Sequence, residues 1–203
     1  MQNVRHLIVA TRNPHKTREF AAALGAAFTV SDLTTGPALP AVAETGRTFE
    51  ENAILKALAA SSRVSGLVVS DDSGLEVEAL NGAPGVYSAR YAGEGATDGE
   101  NVAKLLTELR ACAPEASERP ARFCCVLALA EGEGILSLFS GTVSGFIVPE
   151  PRGDGGFGYD PVFAPEGYAE TFAELGDAVK NQISHRAQAL ARLRDFFEQR
   201  TDW

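Results

Sequence analysis

Two neighbouring carboxylates, Asp71 and Asp72, follow the apolar run 67–70 and precede Ser73 and Gly74. Oxygen ligands in a histidine-poor segment suit Mg²⁺ better than Zn²⁺. Because successive side chains of a strand point to opposite faces, we expect one aspartate to face a site and the other to brace the chain. We predict that the strand ends at Ser70 and that both aspartates lie in a turn. An Asx-type turn without a function is the alternative.

The segment before the first predicted helix is a candidate phosphate site. A strand at 6–11, a loop and a helix at 16–24 would present free N–H groups and the positive end of a helix dipole to an anion. Lys16 would add a formal charge. The segment is no Walker loop, because it lacks GxxxxGK, and an ordinary strand-to-helix turn is the alternative. Its residues are Thr11, Arg12, Asn13, Pro14, His15 and Lys16.

A second candidate surrounds a predicted helix at 48–64, which the capping box Thr48-x-x-Glu51 opens. Asn52 and Lys56 lie four residues apart on one face of that helix. With Glu44 just upstream, the segment offers a carboxylate, an amide and an ammonium to one ligand. A solvated helix face is the alternative.

The glycine loop 153–158 formally matches the dinucleotide fingerprint GxGxxG. We reject that interpretation, because the fingerprint must follow a strand and open a helix. Here Pro149 and Pro151 precede the glycines and Pro161 follows them. The loop instead favours an exposed Phe157 for base stacking, with Asp160 accepting hydrogen bonds.

The last candidate segment contains Lys180, His185 and Arg186 around Ser184, the predicted cap of a C-terminal helix at 184–199. Cations are unfavourable at a helix N-terminus, where the dipole is positive. We therefore expect an anionic or oxygen-rich ligand there.

The elements that carry these segments indicate an α/β fold with a mixed sheet. Helical patterns alternate with strands in the first half, the capping box Thr97-x-x-Glu100 opens a helix, and a hairpin at 122–148 follows. A chain of 203 residues, 45% hydrophobic and 22% charged, is typical of a single globular domain spanning 1–203.

The bulk properties also limit the partners. A net charge of −9 argues against nucleic-acid or membrane-surface binding. The three cysteines form neither a disulfide framework nor a zinc motif, and Cys124 and Cys125 are expected to be buried in a strand. We find no signal-peptide pattern and no membrane-length apolar stretch, and we expect a cytoplasmic protein.

Six motifs, in order along nearly the whole chain, resemble the inosine/xanthosine triphosphate pyrophosphatase family. They are Ala10-Thr11-x-Asn13-x-x-Lys16, Glu44-Thr45-Gly46-x-Thr48-Phe49-x-Glu51-Asn52-Ala53-x-x-Lys56-Ala57, Ser70-Asp71-Asp72-Ser73-Gly74-Leu75, the run 82–91 (GAPGVYSARY), Gly156-Phe157-Gly158-Tyr159-Asp160-Pro161 and Lys180-x-x-Ile183-Ser184-His185-Arg186. The resemblance implies a two-lobed mixed α/β fold with flanking helices, a substrate cleft between the lobes and a homodimer. It also implies Mg²⁺-dependent hydrolysis of deaminated purine nucleoside triphosphates (ITP, dITP, XTP) to the monophosphate and pyrophosphate.

The resemblance assigns roles residue by residue. Asp72 matches the catalytic acid and metal ligand, and Glu44 a second metal-associated carboxylate. The segment 11–16 would hold the phosphates, with Lys56 stabilising the leaving pyrophosphate. The remaining substrate contacts would be Ser73, Phe157, Gly158, Tyr159, Asp160, Lys180, His185 and Arg186. Arg12 and His15 depart from the glycines common in the phosphate loop, and Ala43 replaces a common acid.

Two other functions compete with this one. A Maf-like pyrophosphatase for modified pyrimidine nucleotides shares the general fold, but the segments around Phe157 and Lys180 argue against it. A catalytically silent nucleotide-binding module is disfavoured by the intact Asp72, Glu44 and Lys16.

Overall fold

The computed structural model describes residues 5–34, 40, 42–115 and 119–200, which form six strands and five α-helices. The strands are β1 (Arg5–Val9), β2 (Phe28–Asp32), β3 (Leu67–Val77), β4 (Pro120–Glu131), β5 (Gly134–Ile147) and β6 (Phe163–Pro165). The helices are α1 (Pro14–Leu24), α2 (Phe49–Ser61), α3 (Asp98–Cys112), α4 (Phe172–Ile183) and α5 (His185–Glu198). Within these ranges, no helix is both long enough and apolar enough to cross a membrane.

The strands form one sheet in the order β2-β1-β3-β4-β5-β6. β1 pairs in parallel with both neighbours, so that Leu7 lies opposite Val30 of β2 and Leu67 of β3. β5 pairs antiparallel with β6. Helices separate the parallel strands along the chain, as a parallel connection requires. The predicted mixed α/β sheet is therefore confirmed.

The chain divides into two compact units. The first contains residues 1–72, 125–141 and 186–203, and the second contains 73–124 and 142–185. The core of the first unit packs β1 against α1 and α5, with the rings of Phe28 and Phe197 5.0 Å apart. The core of the second packs β3 and β4 against α3, with the rings of Phe123 and Phe163 4.7 Å apart. Cys124 and Cys125 are buried in β4, as predicted.

Two boundary differences affect the candidate site, and one helix was not predicted. The strand does not end at Ser70: β3 continues to Val77, because Leu75 and Val77 are buried on alternate positions. The prediction of an acidic turn was therefore wrong. α1 begins at Pro14 rather than Lys16, since Asn13 caps it and proline fits the first helical position. α4 was not predicted, although Thr171 and Glu174 form a complete capping box at its start.

Candidate active site

β3 carries Asp71 and Asp72 through the first unit on adjacent positions, and the two carboxylates contact different cations. Asp71 accepts hydrogen bonds from Arg186 Nε at 2.7 Å and from Lys16 Nζ. Asp72 contacts Lys56. This division follows from the alternation of side chains along a strand. It agrees with the expectation that one aspartate faces a site while the other braces the chain.

The bracing aspartate is Asp71, whose side chain is completely buried. Burial acts to raise the pKa of Asp71, but the charges of Arg186 and then Lys16 outweigh it and hold that pKa well below its usual range. Arg186 also donates to Glu19 at 2.5 Å. The anion that we expected around Arg186 is thus supplied by two carboxylates of the protein itself.

The second cluster of the first unit joins Glu44, Lys56 and Asp72. Lys56 Nζ lies 2.8 Å from Glu44 Oε1 and also contacts Asp72 Oδ1. Burial acts to lower the pKa of Lys56, but attraction to Asp72 and Glu44 outweighs it and raises that pKa. The pKa of Asp72 is raised overall: burial is the largest cause and raises it, the charge and hydrogen bond of Lys56 lower it, and the charge of Glu44 raises it. Two carboxylates from different segments therefore converge on one positive charge.

Local hydrogen bonds fix this cluster. Ser70 Oγ donates to the carbonyl of Ala53 at 2.6 Å and ties β3 to α2 beside the acid pair. Asn52 is fully buried, and its Oδ1 accepts the Gly46 N–H at 2.8 Å, which holds the segment after Glu44 against α2. A Cβ at Gly46 would lie 2.6 Å from that oxygen, so the position requires glycine. Asn52 thus positions backbone through its Oδ1, while its Nδ2 is buried without a hydrogen-bond partner among the described residues, so a ligand contact of this amide stays a prediction.

The loop before α1 has the predicted strand–loop–helix arrangement. Thr11 Oγ1 accepts the Asn13 N–H at 3.1 Å, and Asn13 Oδ1 accepts the His15 N–H at 2.9 Å. The side chains of Arg12, Pro14 and His15 are exposed, and Lys16 is half-buried on Asp71. Because Asn13 caps α1, one of the free N–H groups assigned to an anion is already used.

In the second unit, Asp160 connects three candidate residues. Its Oδ2 accepts the Phe157 N–H at 2.9 Å and a hydrogen bond from Lys180 Nζ at 2.6 Å. Lys180 Nζ lies 4.3 Å from the centroid of the Phe157 ring. Asp160 and Lys180 are buried, while Phe157 is half-buried rather than exposed as predicted. A Cβ at Gly156 would collide with the Asp160 carboxylate, so this glycine is required for close approach.

The other candidate residues of the second unit differ in burial and in their contacts. Tyr159 is buried and its hydroxyl donates to the Ser88 carbonyl at 2.8 Å. The ring of His185 is also buried and stacks on Phe123, with centroids 4.8 Å apart. Ser73 is half-buried in β3. The Gly158 N–H donates to Asp98 at 2.6 Å.

Sequence reasoning missed Glu19 and Asp98. Glu19 lies on α1 and meets Arg186 167 positions away in sequence, and no local pattern signals such a pairing. Asp98 directly follows the cap Thr97, and we considered only Thr97 and Glu100 at this helix start. The 3-10 segment Asp160–Val162 follows the glycine loop, so the rejection of a dinucleotide fingerprint is confirmed.

The fold and the charged clusters define a mixed α/β protein that pairs buried acids with lysines, the chemistry of a site for phosphorylated ligands. The family model described as the Ham1 family matches residues 7–196. The chain therefore belongs to the Ham1 family.

Individual relatives agree with this placement. The chain is 50% identical over 197 residues to the dITP/XTP pyrophosphatase of Geobacillus kaustophilus, covering 97% of this chain and 96% of the relative. It is 52% identical over 191 residues to the dITP/XTP pyrophosphatase of Geobacter sulfurreducens, covering 93% and 94%. Among solved structures, a HAM1 protein from Coxiella burnetii matches with a TM-score of 0.86 at 41% identity, covering 97% of this chain and 100% of that one.

Proposed function

We propose that this protein is a nucleoside-triphosphate pyrophosphatase that hydrolyses ITP, dITP and XTP to the monophosphate and pyrophosphate. The observation that carries the proposal is the near-complete match, at about half identity, to relatives named dITP/XTP pyrophosphatase. The site supports it, because acids and lysines cluster in the first unit and an aromatic–lysine–aspartate group lies in the second.

The donor set of the first unit fits Mg²⁺. Glu44 and Asp72 already share one cation, the Lys56 ammonium. The described part of the chain contains no group of three or more His, Cys, Asp or Glu residues that forms a closed metal site. Mg²⁺ characteristically uses one or two carboxylates and completes its shell with water and substrate phosphates. When bound, the ion would neutralise phosphate charge, with Glu44 and Asp72 holding it.

The side chains of the first unit have separate roles in the reaction. Asp72 accepts the proton of the attacking water through its carboxylate, which β3 presents beside Lys56 and Glu44. Lys16 and Lys56 stabilise the charge that grows on the departing pyrophosphate. Arg186 and Asp71 hold each other, which positions β3 at the neighbouring Asp72.

The second unit selects the base. Phe157 stacks on the purine, and the Lys180 ammonium donates toward the 6-oxo group. A 6-amino group is itself a hydrogen-bond donor and would face the Lys180 donor without an acceptor between them. In comparable sites such a mismatch lowers kcat/KM by a factor on the order of 10⁴. Asp160 fixes both groups through its two hydrogen bonds. ATP is therefore a poor substrate in this proposal.

The proposal extends to a cytoplasmic homodimer. The three cysteines are free thiols, which fits a reducing compartment. The homodimer rests on the family resemblance, and light scattering on the purified protein tests it. A mass of about 43 kDa, twice the 21.4 kDa of the chain, is expected.

Pyrophosphate release tests the function. Purified protein is assayed with ITP, XTP, ATP, GTP and dTTP, with Mg²⁺ and with a chelator. We expect rapid release from ITP and XTP, little from ATP and GTP, and none when the chelator is in excess. Turnover of dTTP alone would favour the pyrimidine-nucleotide function, and silence with all five would favour a binding module.

A further inference from the structure

Asp98 lies outside the assigned site and makes a direct hydrogen bond to it. It is the first residue of α3, its side chain is exposed, and its Oδ2 accepts the Gly158 N–H at 2.6 Å. Gly158 follows Phe157, and its φ of 62° is in the left-handed region that favours glycine. A carboxylate from a different element therefore holds the backbone directly after the stacking ring.

The two peptide groups on either side of Phe157 are each fixed by a carboxylate. The Phe157 N–H donates to Asp160 at 2.9 Å, and the next N–H, that of Gly158, donates to Asp98. With both peptide planes fixed, the direction of the Phe157 Cα–Cβ bond is fixed as well. Hydrogen bonds to ionised acceptors are roughly twice as strong as neutral ones, which suits this holding role.

The surroundings increase the importance of the Asp98 bond. A cavity of about 530 Å³ is lined by residues of α3 and of the glycine loop, including Val102, Leu106 and Phe157. Side-chain packing across this space is therefore incomplete. The hydrogen bond from Gly158 to Asp98 is a direct attachment of the loop to α3.

We propose that Asp98 is a positioning residue that fixes the Phe157 stacking platform and thereby sets the affinity for the purine base. The inference rests on the proposed function, because it assigns the base to Phe157. Asp98 touches no reacting atom in this proposal. Its loss should weaken base binding without slowing the chemical step.

The test compares Asp98→Ala, Asp98→Asn and Glu100→Ala with the wild type. Asn keeps an acceptor oxygen for the Gly158 N–H. Glu100→Ala removes the capping box at the same helix N-terminus without touching the loop. The readouts are calorimetric binding of inosine monophosphate, kcat and KM for ITP, and the thermal unfolding midpoint.

We expect Asp98→Ala to weaken inosine monophosphate binding and raise KM about tenfold, near the low end for a hydrogen bond to a charged group, with kcat within about twofold. Asp98→Asn keeps a neutral acceptor and should recover roughly threefold of the tenfold loss, and Glu100→Ala should lower the midpoint while leaving affinity unchanged. Wild-type affinity in Asp98→Ala, or an equal loss in Glu100→Ala, would overturn the role of Asp98 alone. A wild type that neither binds inosine monophosphate nor hydrolyses ITP would overturn the proposed function with it.

Discussion

The buried pair of Asp71 and Arg186 gives a quantitative prediction. In Asp71→Asn, the amide oxygen still accepts one hydrogen bond from Arg186. The amide NH₂ takes the place of the second acceptor oxygen. Its N–H donors then face the N–H donors of either Lys16 or Arg186, and no hydrogen bond forms there. Removing one partner of a buried pair costs about 3–5 kcal/mol. Because Glu19 still neutralises Arg186, we expect a loss near the lower end, about 3 kcal/mol.

Urea unfolding followed by far-UV circular dichroism measures this loss. For a chain of this size, about 3 kcal/mol lowers the urea midpoint by roughly 1 M. The matched control is Asp195→Asn, the same chemical change at an exposed position of α5, which should stay within about 0.5 kcal/mol of the wild type.

A double-mutant cycle separates the pair from its surroundings. Arg186→Met alone leaves Asp71 buried beside Lys16, whereas the double variant removes both charges of the pair. We expect the double variant to lose less than the sum of the single variants. An Asp71→Asn protein as stable as Asp195→Asn would refute the view that this pair holds β3 in place.

Three further predictions concern individual side chains. Asp72→Asn should lower kcat for ITP by about 10²-fold or more with an unchanged unfolding midpoint, and turnover within tenfold of the wild type would contradict its role as base. Lys180→Met leaves Asp160 buried without its ammonium partner, so both the affinity for inosine monophosphate and the unfolding midpoint should fall. If calorimetry and thermal unfolding show neither change, the Lys180–Asp160 pair has no role in base binding or stability. A thiol reagent at pH 8 should modify the exposed Cys112 rapidly and Cys124 only on unfolding, because burial and then Glu76 raise the pKa of Cys124 to about 12 and keep it a neutral thiol. Rapid modification of Cys112→Ser would contradict the last prediction.

The sequence predicted the fold where local patterns and the final environment agree. The mixed sheet, the Thr97 capping box and the buried Cys124–Cys125 strand all follow from such patterns. The strand through Asp71 and Asp72 was cut short because adjacent acids and a glycine are typical of turns. The apolar alternation of Leu75 and Val77 continues the strand, while the cations that pair with the two aspartates come from α1, α2 and α5, which no local window contains.

The sequence named the residues of the candidate site, but it predicted few of their contacts. Glu44 and Lys56 were proposed to meet at one ligand because Glu44 lies just upstream of the helix that carries Lys56, and the structure brings the two side chains to 2.8 Å. The separate surroundings of Asp71 and Asp72 were expected from strand alternation, and the family resemblance named Asp72 as the residue that faces the site. The partners Glu19 and Asp98 required the tertiary structure, since each meets its target across more than fifty residues.

One competition experiment tests the central claim most directly. Equimolar ITP and ATP are incubated together with the protein and Mg²⁺, and the phosphorus NMR spectrum is followed with time. We expect the ITP signals to be replaced by those of inosine monophosphate and pyrophosphate while the ATP signals remain. Equal loss of ATP would contradict base selection by the second unit, and inosine diphosphate with orthophosphate would contradict the pyrophosphatase reaction itself.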